Sequence, residues 1–529
     1  MNFKNFIRLV AVVFATLTLF ACAGNKSQAS KNNMIPDNAL MAFKVDATQL
    51  WNKAIGEPGS QVAMLWDMAK SGIAMQASSM GEDGALLRNV MEDPSVLGLR
   101  LDIPFVVSIA PDVEDLLDDE MSGDVYIVAL LHDRKAFLSY ADALLDSADE
   151  ADFAGAYKEE LNAKYTYYFL SSDEEMSVDM GVSSGSVVLR CHFAESYAPI
   201  AMKESMLALF DNGGPAKTEG LKNFYASKGV TAIWVDTDAI MTELMLVDEF
   251  EDELTTTAAQ TYKPLYKGSS FVSELFLNDG ATVAKFSVYG SDELKKYAVK
   301  YNALASDKFF NQMPYSSAFV FNLALANLSG LANELSNMNE EYAEAIAMLE
   351  EEYDFNVELL EGFPGVISFA LDGKDLTEGI PGFAFFMECK ENVWDYVQDL
   401  LVEGFVYVGD KTYSIGDMGY ITYKDGAIAI TDTQTAEQSE KTFADAPLAK
   451  QIAKGGMLID LTALSSEVLD MLAEEIDEYM TGDDLLQFAN SVVLTTSDDH
   501  MSATLTVNMG DKEHNILEKL ILESINNAF

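Results

Sequence analysis

Ile35-Pro36-Asp37-Asn38-Ala39-Leu40-Met41-Ala42-Phe43-Lys44-Val45-Asp46 decides how this chain is read. Its proline and Asp-Asn pair form a turn, and the alternating apolar residues that follow form a strand. Asp46 stands where the strand gives way to helical spacing over 47–55. Gln49 lies three residues on, the pattern of a capping box. The same strand and helix return after Met313-Pro314, where Phe321, Leu323 and Leu328 fall at the places of Phe43, Val45 and Leu50.

Further blocks repeat in the same order. Ile103 to Ala110 lines up with Phe363 to Ala370, and Tyr126 to Phe137 with Phe383 to Trp394. The hairpin Ser184 to Leu189 matches Asp425 to Ile430. Trp234-Val235-Asp236 matches Leu458-Ile459-Asp460, and Thr282 to Tyr289 matches the stretch from Met501 through Val507. Shared order over many blocks points to two homologous halves, 35–312 and 313–529. Each half reads as doubled in turn, with units beginning near 35, 228, 313 and 453. The common unit is strand, helix, strand, strand, helix. It predicts an internally duplicated α+β fold, with mainly antiparallel sheets and helices packed on one face. Phe286, Val288 and Val283 cannot share one face, so some strands should be covered on both sides.

The first 22 residues are an address. Lys4 and Arg8 precede the apolar run Leu9 to Phe20, which ends in Ala21-Cys22. A basic region, a short apolar core and a small residue at the cut make a secretory signal over 1–21. The run is too short for a helix to cross ~30 Å of hydrocarbon. A cysteine at this point resembles the bacterial lipobox. That resemblance implies cleavage before Cys22 and diacylglycerol on its sulfur. Residues 22–34 then read as a flexible tether. Position 23 is Ala and not Asp, the familiar inner-membrane retention residue, so an outer-membrane lipoprotein facing the periplasm is expected.

A mature lipoprotein opening on Ile-Pro and an apolar strand, followed by Val45-Asp46 and a helix, resembles a family of bacterial lipoproteins known only as a domain of unknown function. The resemblance spans nearly the whole mature chain. It implies a secreted, lipid-anchored protein and carries no residue-level function.

Composition narrows the partners. The chain holds 85 acidic and 34 basic side chains in 529 residues, a net charge of −51. Loss of the signal removes Lys4 and Arg8 and takes this to −53. A polyanion is repelled by nucleic acid and by anionic lipid surfaces. The membrane is therefore met through the lipid anchor, and the partner is an unidentified envelope protein or ligand. The acidic stretch Asp112 to Glu120, whose order does not fit an EF-hand, reads as a solvated loop, with weak divalent-cation association as the alternative.

No motif specifies a chemistry. Gly181-Val182-Ser183-Ser184-Gly185 fits the string of a hydrolase elbow, but strands on both sides make it a hairpin turn. Cys191 and His192 are adjacent on a strand and must face opposite ways. His132, His192, His500 and His514 show no zinc-ligand spacing. Asp236, Asp238 and Asp460 stand at strand-to-helix junctions, where they cap helices. Trp51, Trp66, Trp234 and Trp394 are packing anchors. Cys191 falls opposite Asp432 and Cys389 opposite His132 in the duplication, so the two thiols are expected to be unpaired. No cofactor, metal or catalytic residue is expected, and Cys22 is the one site residue. The reading is a non-catalytic envelope lipoprotein for binding or assembly. The alternatives are a hydrolase with a discontinuous active site and a carrier of an apolar ligand.

Overall fold

The computed structural model describes residues 34–526, apart from 57, 79–87, 91–93, 112–121, 148–155, 162–163, 173–175, 194–198, 213–217, 245–262, 339, 354, 364, 375, 377–381, 402–403, 433–439 and 478–479. The signal, Cys22, all of the tether but Met34, and the acidic loop 112–120 lie outside the described residues. The fold is α+β, and the strand pairings named below are all antiparallel. Two compact units are present. The first takes Met1–Val247, Gly268–Leu277 and Leu517–Phe529, and the second takes Asp248–Lys267 and Asn278–Ile516.

The first unit holds β1 (Met41–Val45), β2 (Phe105–Pro111), β3 (Gly123–Leu130), β4 (Tyr157–Glu160), β5 (Thr166–Ser172), β6 (Met176–Val182), β7 (Ser186–Phe193), β8 (Thr231–Val235) and β9 (Ser270–Asn278). Their order is β4-β5-β6-β7-β3-β2-β1-β8-β9. The second unit holds β10 (Ala281–Tyr289), β11 (Asn302–Ala303), β12 (Ser317–Leu325), β13 (Val366–Asp372), β14 (Phe383–Glu388), β15 (Val406–Gly409), β16 (Thr412–Ser414), β17 (Tyr420–Lys424), β18 (Ala427–Thr431), β19 (Gly456–Asp460), β20 (Ser491–Thr496) and β21 (Ser502–Asn508). Their order is β15-β16-β17-β18-β14-β13-β12-β19-β20-β21-β10, with β11 beside the end of β12. The nine strands β1–β9 thus recur, position for position, as β12–β20. β10 belongs to the first half in sequence. It lies in the second unit, where it pairs with β21, the strand it matches in sequence.

Register fixes the equivalences. A row across the first unit runs Leu189, Ile127, Val107, Phe43, Ile233, Ser273. The matching row in the second runs Ile430, Phe385, Phe369, Phe321, Met457, Leu494. The sequence matches at β1, β7 and β8 agree with these rows, and two others do not. Val107 corresponds to Phe369, two residues beyond Ile367. Ile127 corresponds to Phe385, one beyond Ala384. The second error reverses every side chain of the strand. Its cause is local. Three residues (131–133) separate β3 from the helix α2 (Arg134–Ser147), whereas two (389–390) separate β14 from its counterpart. Aligning the helices therefore misplaces the strand.

Helices cover both faces of the first sheet, which extends the single helical face expected from the repeat. On one face, α1 (Ala47–Ile55) and α2 pack through Ala47, Trp51, Phe137 and Ala141 onto Phe105, Ala129, Tyr168, Val182 and Val187. On the other, α3 (Pro199–Asn212) packs through Met206, Leu209 and Phe210 onto Ala110, Tyr126, Val128, Tyr167 and Val188. This explains why β3 and β7 read as nearly continuous apolar runs. In the second unit, Val320, Ala370 and Phe386 share a core with Phe309, Phe310 and Phe443. Trp394, on the helix α5 (Glu391–Leu400), packs with Ile421 and Ile428 in another. The helix α4 (Glu219–Ala226) precedes β8 and is capped by Thr218, whose Oγ1 accepts from the Leu221 amide at 3.2 Å. Trp394 and Trp234 are buried, and Trp51 meets Trp66 edge-on at 4.7 Å.

A buried polar network as the candidate functional site

β7 carries the site because its alternation divides Ser186 to Phe193 between two faces. Val188, Arg190 and His192 turn toward α3. Cys191 turns the other way and packs with Met176 and Val178. The adjacent Cys191 and His192 therefore form no dyad. Burial pushes the Cys191 thiol up to about 12, which suits a packed apolar residue and not a nucleophile. Both Cys191 and Cys389 are free and buried.

Arg190 lies between β6 and β3. Its Nε donates to Asp179 Oδ1 at 3.0 Å and its Nη2 to Asp179 Oδ2 at 2.7 Å. Nη1 donates to Ser205 Oγ on α3 at 2.5 Å. The paired side chains are 2% and 0% exposed. The guanidinium also sits over the Tyr126 ring, 5.9 Å from its centre. Burial opposes the charge on Arg190, but its bonds to Asp179 hold its pKa above the ordinary value. Burial pushes the Asp179 carboxyl up, against the pull of Arg190. A bidentate pair of this kind needs every donor matched, because an unmatched charge in a dry interior is costly.

The next row continues the network. His192 Nδ1 lies 2.9 Å from Asp124 Oδ1, and Tyr126 donates its hydroxyl to Asp124 Oδ2 at 2.9 Å. Burial works against the Asp124 charge, but His192, Arg190 and Tyr126 outweigh it and hold its pKa below the ordinary range. Burial and Asp124 push the Tyr126 phenol up to about 12. Ser177 stands directly opposite His192 in the ladder, so Ser177, His192 and Asp124 form one row across β6, β7 and β3.

The second unit lacks this network. Asp179, Arg190, Tyr126 and Asp124 correspond there to Tyr420, Thr431, Ala384 and Gly382. The connection from β18 to β19 is also shorter than that from β7 to β8, which carries α3. Among the described residues, the charged row and the helix that covers it thus distinguish the first unit from the second.

A different buried polar position is shared. Lys44 on β1 donates from Nζ to the carbonyls of Phe224, Tyr225 and Ser227 at 3.0, 3.4 and 2.7 Å. Its equivalent, Asn322, donates from Nδ2 to those of Ser306, Ile452 and Ala453 at 3.2, 3.0 and 3.1 Å. Each ties an interior strand of its unit, β1 or β12, to the segment leading into the strand beside it, β8 or β19.

The remaining sequence-singled residues are structural. Ser183 closes the β6–β7 turn. Its Oγ accepts from the amides of Gly185 and Ser186 at 3.3 and 3.0 Å. Asp46, Asp236 and Asp460 accept the amides of Gln49, Ala239 and Thr462 at 2.8, 3.0 and 3.0 Å. Asp238 accepts the Gly268 amide at 2.8 Å. His514 pairs with Asp511 at 2.9 Å. Among the described residues, no group of three His, Cys, Asp or Glu could hold a metal ion, and no helix is long and apolar enough to cross a membrane. Of the network, only His192 was singled out from sequence. Asp124, Tyr126, Ser177, Asp179, Arg190 and Ser205 come from separate strands and a helix. A charged Arg inside an apolar strand was the one available signal.

No family model and no curated protein matches the sequence. A solved structure described as crystal form I of TP0453 overlaps 50% of this chain and 80% of its own at 10% identity, with a TM-score of 0.24. A score of that size does not amount to a shared fold.

Proposed function

We propose that the protein is a cell-envelope lipoprotein, anchored through Cys22, that acts by non-catalytic binding or assembly at the outer membrane. What supports the binding reading is the saturation of the buried network. Three nitrogens of Arg190 and both oxygens of Asp179 and of Asp124 are engaged by neighbouring side chains. Groups spent in this way clamp α3 to the sheet and leave no charge free for a substrate. The anchor is tested by labelling. Cys22→Ser should abolish palmitate incorporation and leave an uncleaved or soluble precursor. Normal labelling of the variant would remove the anchor from the proposal.

One observation favours a hydrolase as the second reading. In the row Ser177–His192–Asp124, Asp124 Oδ1 lies 2.9 Å from the imidazole Nδ1 and Ser177 is paired directly opposite His192 on β6, the residue types and order that a serine hydrolase uses. Ser177 is 3% exposed, which is why binding is preferred. Incubation of the intact protein with a fluorophosphonate probe separates the two. Labelling of Ser177 that disappears in His192→Ala would establish the enzyme. An unlabelled protein supports the binding reading.

A further inference from the structure

Arg190 and Tyr126 belong to a row that runs on across the first sheet. Tyr126 is paired with Ser108 on β2, Ser108 with Ala42 on β1, and Ala42 with Trp234 on β8. Directly paired residues share a face. Ser108 and Trp234 therefore stand on the same side of the sheet, with the Ala42 methyl between them. They are 0% and 3% exposed. Among the described residues, none offers a hydrogen bond to Ser108 Oγ or to Trp234 Nε1. Ser270 repeats the observation one strand further on. It lies two residues from Val272, the partner of Trp234 on β9, so it faces the same way. It too is fully buried, and its Oγ is likewise unmatched.

The second unit has the same row in apolar form. Ser108, Ala42 and Trp234 correspond there to Ala370, Val320 and Leu458, which belong to one apolar core. Ser270 corresponds to Ser491, whose Oγ accepts from Asn508 Nδ2 at 3.0 Å. At each position the second unit has either no polar group or a protein partner for it. The first unit has the polar groups without the partners, and Ala42 is smaller than Val320 by two methyl groups. α4 closes this face. Lys44, two residues from Ala42, donates from the same side to the carbonyls of Phe224, Tyr225 and Ser227. Polar groups shut away from bulk solvent are matched by protein or by ordered water, because leaving them unmatched costs stability.

We propose that ordered water is bound on this face of the first sheet, bonded to Ser108 Oγ and Trp234 Nε1 over the methyl of Ala42, and to Ser270 Oγ beyond the indole. The donors and acceptors fit. An indole N–H can only donate, so the molecule beside it must accept, whereas a serine hydroxyl does either. Water meets both demands. The size fits as well. A water takes about 30 Å³ of liquid volume, of the order of the two methyl groups by which Val320 exceeds Ala42. A larger ligand would have to part α4 from the sheet, against the three bonds of Lys44. The site involves neither the lipid anchor nor the charges of Arg190 and Asp179, which protein groups already match.

NMR of the full chain carrying Cys22→Ser and 15N-labelled tryptophan tests the site in solution. Four indole N–H signals are expected, from Trp51, Trp66, Trp234 and Trp394, and Trp234→Phe identifies its own. The Trp234 indole proton should show a dipolar contact with water, opposite in sign to chemical exchange in the rotating frame. Trp394 is the control. Its Nε1 is also buried and unmatched, but it packs among Val393, Ile421 and Ile428, and apolar surroundings stay dry. The double variant Ala42→Val with Ser108→Ala rebuilds the Val320 and Ala370 pair of the second unit, and it should abolish the contact. No contact at Trp234, an equal one at Trp394, or one that survives at full strength in the double variant would overturn the proposal. A crystal structure that shows ordered solvent gives a second measurement. Density ~2.7–3.2 Å from both Ser108 Oγ and Trp234 Nε1 supports the site. Its absence, or protein atoms bonded to both groups, overturns it.

Discussion

Asp179→Ala is expected to destabilise the first unit by about 3–5 kcal/mol, the cost of leaving a buried cation without its partner. The substitution strips Arg190 of two charge-assisted hydrogen bonds at 3.0 and 2.7 Å. Water cannot replace them beneath α3 without displacing Ser205, Met206 and Leu209. The double replacement Asp179→Leu with Arg190→Met removes both charges and keeps apolar volume. It should recover most of the loss, because a matched apolar pair is often as stable as the ion pair it replaces. Urea unfolding followed by tryptophan fluorescence reads the effect, since Trp51, Trp66 and Trp234 all belong to the first unit. A single variant that costs less than about 1 kcal/mol would mean that the pair is hydrated. A double variant as unstable as the single one would mean that it acts through geometry and not charge.

Lys44→Met is expected to cost the first unit about 2–3 kcal/mol and to loosen α4 in particular. The methionine keeps the apolar stem of the lysine. It leaves the carbonyls of Phe224, Tyr225 and Ser227 without their shared donor, and a buried acceptor left unmatched costs ~1–3 kcal/mol. An ammonium group also complements the negative end of α4, which finishes at Ala226. The burial cost of the lysine charge offsets part of this, so the net loss is less than the sum of three bonds. Hydrogen exchange over 219–228 should quicken more than exchange in β5 or β6. Asn322→Leu is the matching change in the second unit, where it should quicken exchange over 449–455. Uniform quickening across the whole unit would show that Lys44 supports the sheet and not the helix end.

The duplication was legible because it is written in periodicity and order. Phe43 with Phe321, the Ser184 and Asp425 hairpins, and Trp234 with Leu458 could each be aligned by type and spacing, and strand register agrees with all three. The alignment failed at β2 and β3 because a shared proline at 104 and 364 and a shared helix start outweighed the strands. Insertions collect in the connections, and a single added residue before α2 is invisible to a pattern that tolerates either face. The Ser183 turn and the Asp46, Asp236 and Asp460 caps were also legible, since each is decided within about four residues.

The candidate site was not legible, because its members meet through strand pairing and not through sequence. Asp124, Asp179 and Arg190 lie in an acidic chain where carboxylates are common. Only the β6-β7-β3 order brings them into adjacent positions. The row of Ser108, Ala42 and Trp234 was hidden for a similar reason. Its members lie on β2, β1 and β8, and only the order of those strands makes them neighbours. Sequence by itself determined the secondary-structure unit, its repetition, and the local caps and turns, all of which depend on near neighbours along the chain. The tertiary structure alone decided which polar residues are buried together and which of them meet a protein partner. Both depend on contacts between segments far apart in sequence, whose energies are set by exclusion of water and not by local spacing.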